Sequence, residues 1–103
     1  MTYYTNKESR TGNKFVINCI GCSVDDITIT RFQGDEVPQE VVVDVKYPAV
    51  VKQQFGLTNQ TLEFPIAPKF DSSKMELDFG NGILTLEIPI KGGLAQEIKL
   101  GKK

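Results

Sequence analysis

The stretch KMELDFGNGILTLEIP, residues 74–89, decides the fold of this chain of 103 residues. In it, two runs of alternating apolar and polar residues flank Gly80, Asn81 and Gly82. The Asn-Gly pair readily adopts the positive φ that both central positions of a two-residue β-hairpin require. Because successive strand side chains point to opposite faces, the two runs predict an antiparallel hairpin with one apolar face. The residues of that face are Met75, Leu77, Phe79, Leu84, Leu86 and Ile88.

Similar short runs precede the hairpin and are separated by turn residues. They occupy residues 2–9, 14–20, 26–32, 41–47 and 61–66. Val and Ile together number 18, against 12 for Ala, Leu and Met, and this bias favours strands over helices. The pattern predicts an all-β domain, an immunoglobulin-like antiparallel β-sandwich of about seven to eight strands. Residues 49–59 fit either a turn of helix or a short irregular strand.

The composition excludes several kinds of function. The chain has no histidine, so Ser-His and Cys-His nucleophile pairs are impossible within it and the commonest metal ligand is absent. It also has no phosphate-binding loop or dinucleotide fingerprint, so we expect no enzyme activity, no cofactor and no metal. A net charge of −1 argues against nucleic acid or an anionic membrane as partner. The N-terminus lacks the apolar segment of a secretory signal, which predicts a cytoplasmic protein.

Cys19 and Cys22 form a CxxC pair, which can be redox-active or supply half of a zinc site. A four-ligand zinc site needs further Cys or His residues, and the chain has none. A thioredoxin-like pair opens a helix, whereas the following SVDDITIT, residues 23–30, indicates a turn and a strand. We therefore expect two reduced thiols, buried or half-buried, at the end of a strand.

Residues 64–89 resemble the C-terminal half of the α-crystallin domain, which defines the small heat-shock proteins. The family pattern is an Ala, then an Asn-Gly-Val-Leu motif, and a Pro that closes the strand. Here Leu77 stands at the Ala position and Pro89 closes the strand. The residues of the hairpin motif are Asn81, Gly82, Ile83 and Leu84. Because Leu is larger than Ala, we expect repacking around position 77.

The resemblance covers about residues 2–100. Residues 15–29 resemble the family's strand, turn, acidic step and Ile-rich strand, and the triplet Ile98-Lys99-Leu100 resembles its Ile-x-Ile/Leu tail anchor. The resemblance therefore divides the chain into a β-sandwich at residues 1–91 and a flexible C-terminal tail at residues 92–103.

Two departures from the family pattern bear on assembly. Almost no N-terminal arm precedes the first strand, so this would be a minimal member of the family. The connection at residues 48–60 is shorter than the loop that bacterial and plant members exchange between subunits. Both departures argue against large oligomers, and self-association into a dimer or small oligomer is expected. The short connection also brings the chain closer to the co-chaperone sandwich domain that binds an ATP-driven chaperone.

The resemblance implies an ATP-independent chaperone, a holdase that binds exposed apolar segments of unfolding client proteins. In the family, a tail anchor lies in a groove at the rim of the sandwich. The corresponding anchor residues here are Ile98 and Leu100, and the corresponding groove residues are Ile27, Ile29, Met75 and Leu77. Two alternatives stay open: an adaptor of the co-chaperone type, and a viral structural or assembly module.

Overall fold

The computed structural model describes residues 3–34 and 38–92. Within these ranges the chain forms seven strands and one α-helix. In chain order the elements are β1 (Tyr4–Glu8), β2 (Gly12–Asn18), β3 (Ile27–Phe32), β4 (Glu40–Val45), α1 (Ala49–Phe55), β5 (Gln60–Pro65), β6 (Glu76–Gly80) and β7 (Ile83–Pro89). Single turns of 3-10 helix, Val24–Asp26 and Ser72–Lys74, precede β3 and β6. Among the described residues, no helix combines the length and apolar character needed to cross a membrane.

The strands form two antiparallel sheets. Sheet A has four strands in the order β1-β2-β7-β6, and sheet B has three in the order β3-β4-β5. The predicted all-β sandwich of about seven to eight strands is therefore confirmed. Residues 2–9, which had a polar strand pattern, include β1, whose side chains are all exposed at the edge of sheet A.

The core lies between the sheets and follows the alternation in the sequence. The central strands β2, β4 and β7 bury every second side chain. The apolar members of this set are Phe15, Ile17, Val41, Val43, Val45, Leu84, Leu86 and Ile88, and Asn13 is its polar member. Aromatic contacts cross from sheet A to sheet B, since the Phe64 ring on β5 lies 4.3 Å from that of Phe15 and 4.9 Å from that of Tyr4.

The hairpin between β6 and β7 has the turn that its sequence requires. Asn81 has a φ of 53° and Gly82 a φ of 74°, so both central residues have positive φ. Such a turn has the twist that joins two antiparallel strands directly. The Gly82 carbonyl accepts a hydrogen bond from the Cys19 N–H at 2.7 Å, and this bond attaches the hairpin to the end of β2.

The connection between β4 and β5 is helical. The sequence of residues 49–59 fits either a turn of helix or a short irregular strand, and in the structure this segment contains the helix α1. Gly56, with a φ of 66°, ends the helix, and the Leu57 N–H donates to the Lys52 carbonyl at 3.2 Å. Val51 is the buried residue of the helix and packs against Gly21. The helix therefore depends on this contact for its place against the sandwich.

The CxxC pair forms a tight turn at the end of β2. Cys19 is fully buried, Cys22 is half-buried, and both are free thiols. The Cys22 N–H donates to the Cys19 carbonyl at 2.9 Å, and Gly21 between them has a φ of 78°. A 3-10 turn and β3 follow the pair, where a thioredoxin-like motif would open a helix. Burial raises the pKa of Cys19 to about 12, so this thiol is protonated at neutral pH.

Candidate functional site

One rim of the sandwich is open because its two outermost strands have no outer neighbour. β3 is an edge of sheet B and β6 is an edge of sheet A, and in the part of the chain that the structure describes no strand pairs with either on its outer side. Edge strands present unpaired backbone groups to which another chain can bind. The rim is therefore a candidate binding surface for another chain.

A groove of about 220 Å³ runs between these two strands. Its lining residues are Val24, Ile27, Ile29, Leu77, Asp78, Phe79 and Leu84. Two of the apolar side chains are largely in contact with solvent, since Leu77 is 51 % exposed and Val24 is 68 % exposed. Asp78 is the one charged residue of this lining. The groove can therefore accept apolar side chains.

Strand alternation explains why these side chains meet. Ile27 and Ile29 of β3 lie opposite the buried Val45 and Val43, so they belong to the inner face of sheet B. Leu77 and Phe79 of β6 lie opposite Leu86 and Leu84 on the inner face of sheet A. Since β3 and β6 are outermost, inner-face side chains on them have core neighbours on one side only. Their other side forms the groove.

The predicted groove residues are placed as follows. The structure brings Ile27, Ile29 and Leu77 together in the groove lining. Met75 packs partly buried against the core, at the end of the 3-10 turn before β6, and is outside that lining. The predicted anchor residues, Ile98 and Leu100, lie outside the described residues.

Comparison with solved structures identifies the architecture. A small heat-shock protein from Xylella fastidiosa matches with a TM-score of 0.71 and 14 % identity, over 96 % of this chain and 94 % of that one. Heat shock protein 16.0 from Schizosaccharomyces pombe matches with a TM-score of 0.67 and 14 % identity, over 97 % and 73 %. HSP18.5 from E. histolytica matches with a TM-score of 0.67 and 10 % identity, over 94 % and 95 %. The chain has the fold of the small heat-shock proteins. No protein-family model and no curated protein sequence matches it.

In this α-crystallin fold, position 77 differs from the expectation drawn from sequence. A Leu at the family's Ala position was expected to require repacking around it. The structure shows instead that Leu77 projects into the open groove and remains half-exposed, so its extra volume meets solvent and not the core. The larger residue enlarges the apolar wall of the groove.

Sequence reasoning did not select Val24, Phe79 or Leu84 as groove residues. Phe79 and Leu84 lie on the predicted apolar faces of the hairpin, so alternation was a usable signal for both. Val24 lies in the 3-10 turn before β3, where neither a period of two nor a turn motif distinguishes it. Its place in the groove is set by the tertiary structure.

A polar network with buried Ser72 and Gln39 at its centre ties β3 to the chain segment that leads into β6. Arg31 lies on β3 and continues the inner-face row of Ile27 and Ile29. Its Nε donates to the Ser72 Oγ at 2.8 Å, and Ser72 donates in turn to the Gln39 Oε1 at 2.7 Å. The Gln39 amide donates to two main-chain carbonyls, those of Ala67 and Phe70, at 2.8 and 2.6 Å. The network links β3 to the 3-10 turn that precedes β6.

The start of β6 is also held by a capped turn. Asp71 precedes the 3-10 turn Ser72–Lys74, and its side chain accepts hydrogen bonds from the Ser73 hydroxyl and N–H. The hydrogen bond from the Ser73 side chain lowers the pKa of the Asp71 carboxyl, with a smaller contribution from nearby lysines. The acceptor is therefore a carboxylate at neutral pH. No cluster of metal-ligating side chains occurs in the described ranges 3–34 and 38–92.

Proposed function

We propose that this protein is an ATP-independent chaperone of the small heat-shock type, which binds exposed apolar segments of unfolding proteins in the groove between β3 and β6. One observation carries the proposal: the half-exposed Leu77 lines the same open groove as Ile27 and Ile29. Exposed apolar groups gathered at one rim are typical of a surface that binds another chain. The α-crystallin fold supports this, because the solved structures that match are small heat-shock proteins.

The two groove strands also offer backbone groups. The Lys46 N–H donates to the Asp26 carbonyl, so the even-numbered residues of β3 form the backbone hydrogen bonds with β4. The N–H and C=O groups of Ile27 and Ile29 therefore point away from β4, towards the open edge. In β6, the two-residue turn makes Gly80 form backbone hydrogen bonds with Ile83 of β7, and bonded residues then alternate along the strand. The N–H and C=O groups of Leu77 and Phe79 therefore point away from β7, towards the open edge. The same residues thus present an apolar side chain to the groove and free N–H and C=O groups at its edge. An extended segment can use both.

The segment that suits such a groove is extended and has apolar residues at positions i and i+2. In a strand these two side chains point the same way, while the residue between them points away. Burying one Ile or Leu contributes about 1.5–3 kcal/mol before the cost of ordering the segment. Two such side chains give a contact that forms and dissociates readily. That is the behaviour required of a chaperone that holds and releases its clients.

The tail of the protein contains a segment of this kind. Ile98 and Leu100 have the required spacing, with Lys99 between them. We assign them as the anchor that occupies the groove of another copy when no client is bound. This contact would produce a dimer or small oligomer. Clients and tails would then compete for the same groove.

The experiment is an aggregation assay with a heat-labile client, followed by light scattering. Leu77→Ser removes the apolar groove wall, and Ile83→Ser is a matched control on the outer face of sheet A, since the two residues are 51 % and 43 % exposed. The wild type and Ile83→Ser should suppress scattering at stoichiometric excess, whereas Leu77→Ser should suppress it less. No suppression by the wild type, or equal suppression by all three proteins, would overturn the proposal.

A second candidate is an adaptor of the co-chaperone sandwich type. The helix α1 favours it, because the connection between β4 and β5 is a compact helix in place of a long exchangeable loop. An adaptor would retain one folded partner from a lysate and would not protect a heat-labile client. A viral assembly module would instead form a stable homo-oligomer without client protection.

The remaining expectations follow from the holdase mechanism. Binding through apolar contacts consumes no nucleotide and needs neither a cofactor nor an enzymatic step. Cys19 and Cys22 are free thiols, which suits a reducing compartment, and we place the protein in the cytoplasm.

A further inference from the structure

We propose that β1 of a second copy pairs with β6, so that sheet A continues from one subunit into the next and the second copy supplies a wall of the groove. The proposal rests on the groove assigned above as the binding site. It goes further because it names a head-to-tail contact between copies. Four observations support it: the charges on sheet A, the direction of the edge backbone groups, the side chains at the junction, and the widths of the two sheets.

Charges on the outer face of sheet A are segregated. One row across the four strands reads Lys7, Lys14, Glu87 and Glu76, with each residue directly opposite the next. These side chains line a depression of about 630 Å³, and none of them forms a salt bridge with another described residue. Like charges directly opposite each other destabilise a sheet. The row therefore contains two unfavourable pairs: Lys7 with Lys14 at the β1 edge, and Glu76 with Glu87 at the β6 edge.

Head-to-tail pairing places the opposite charge beside each of these pairs. If β1 of a second copy continues the rows of sheet A, its Lys7 lies opposite Glu76 and its Thr5 lies opposite Asp78. Symmetric pairing does the reverse: two β1 strands would gather Lys7 and Lys14 from both copies, and two β6 strands would gather their glutamates. The charge pattern therefore selects the contact between unlike edges.

The backbone groups of the two edges fit this pairing. The Asn18 N–H donates to the Tyr3 carbonyl, and the Ser9 N–H donates to the Gly12 carbonyl. The odd-numbered residues of β1 therefore form the backbone hydrogen bonds with β2. Tyr4, Asn6 and Glu8 therefore direct their N–H and C=O groups outward. On β6 the outward groups belong to Leu77 and Phe79. β1 and β6 run antiparallel within sheet A, so the new pair is antiparallel, as the rest of the sheet is.

One aromatic side chain of the second copy reaches the groove at this junction. Continuing the rows places Tyr4 of the second copy opposite Phe79, and Asn6 of the second copy opposite Leu77. Tyr4 is 42 % exposed and Leu77 is 51 % exposed in the single chain, so both lose contact with water on pairing. Tyr4 of the second copy would then form the far wall of the groove.

The widths of the two sheets leave room for this contact. Sheet A has four strands and sheet B has three, so sheet B is one strand narrower. β5 lies over β1 and β2, as the contacts of Phe64 with Tyr4 and Phe15 show, and β3 lies beside β6. When sheet A continues, a gap remains between β3 and β5 of the second copy. That gap is the groove, and an extended segment in it can pair with the free edge of β3, because β1 of the second copy occupies the edge of β6.

Two charge reversals test the contact by sedimentation velocity at low ionic strength. Lys7→Glu and Glu76→Lys each place like charges at every junction and should weaken association roughly tenfold. A 1:1 mixture of the two variants should restore it, because each junction between unlike variants again pairs a lysine with a glutamate. Lys52→Glu on α1 is the matched control and should associate as the wild type does. Circular dichroism checks that each variant folds.

Several results would overturn the contact between β1 and β6. These are a monomeric wild type at millimolar concentration, unchanged association in either single variant, or a mixture that fails to restore association. This readout is independent of the client assay. A monomeric wild type that still suppresses aggregation would overturn the junction and leave the proposed function standing. Intact assembly without suppression would overturn the proposed function and leave the junction standing.

Discussion

Arg31 and Ser72 join the two strands of the groove, because the Arg31 Nε on β3 donates to the Ser72 Oγ, at 2.8 Å, just before β6 begins. Ser72 is almost fully buried and also bonds to Gln39, which is buried as well. Sheets of a sandwich are held together mainly by apolar contacts, so this part-buried polar link between β3 and the turn before β6 adds a directional contact to them. It fixes the distance between β3 and β6 at one end of the groove.

Gln39→Ala should lower the free energy of unfolding by about 1–3 kcal/mol, because it leaves the Phe70 carbonyl and the Ser72 N–H without a partner and removes one of the two hydrogen bonds to the Ala67 carbonyl. Denaturation in urea measures the change. Gln33→Ala is the control, since exposed Gln33 bonds only the outer end of Arg31. Equal midpoints for the two variants would show that the network contributes nothing.

The contact between Gly21 and α1 gives a second prediction. A Cβ at Gly21 would lie 2.4 Å from the Val51 Cγ2, whereas a Cβ at Gly56 would have no atom within 4 Å. Both glycines have positive φ, so both Ala variants incur backbone strain of about 1 kcal/mol. Gly21→Ala should in addition displace α1, so its free energy of unfolding should be lower than that of Gly56→Ala by about 1 kcal/mol or more. Equal stability of the two variants in urea would contradict this packing.

Titration of Cys19 gives a prediction about pH. Burial raises the pKa of this thiol from 9.0 to about 12, with a smaller contribution from Cys22. The folded state therefore keeps a proton that the unfolded state releases above pH 9, and stability should fall as the pH rises from 9 towards 12. Burial raises the pKa of Tyr47 from 10.0 to about 12 in the same way.

The measurement is the urea midpoint at successive pH values for the wild type and for Cys19→Ala. Removing the thiol lowers stability at every pH through lost packing, so the slopes are compared and not the midpoints themselves. The slope above pH 9 should be smaller in Cys19→Ala, and the remaining slope belongs to Tyr47 and the other groups that titrate there. Identical slopes would contradict a protonated, buried thiol.

The sequence predicted the strands of the sandwich because their pattern is local. Alternation in β2, β4 and β7 assigns each side chain to a face, and the Asn-Gly turn specifies how β6 returns into β7. The local sequence pattern did not distinguish the helix α1 from a short irregular strand. It has seven residues, and its place depends on Val51 meeting Gly21, which is 30 positions earlier in the chain.

The groove was only partly accessible from sequence. Alternation placed Ile27, Ile29 and Leu77 on inner faces, but it cannot tell a covered inner face from an open one. Exposure at the rim depends on how the narrower sheet B lies over sheet A, which is a tertiary property. Gln39 illustrates the same limit, because a glutamine beside a turn gives no local signal that it is buried.

The tail gives a fourth prediction, which concerns assembly. Replacing both Ile98 and Leu100 with Gly should shift the protein to a smaller assembly, because the anchor loses both of its apolar side chains. Sedimentation measures the mass, and circular dichroism should show an unchanged fold. Lys99→Gly is the control, since this side chain points away from the groove in an extended segment. An unchanged mass in the double variant would exclude the tail as an anchor.

The most direct test of the groove is an NMR titration with a peptide that contains Ile-Lys-Leu, following the backbone amide shifts of the protein. The account predicts saturable changes concentrated on β3 and β6, at Ile27–Phe32 and Glu76–Gly80, and their loss in Leu77→Ser. Changes that persist in Leu77→Ser, or no changes at millimolar peptide, would contradict it.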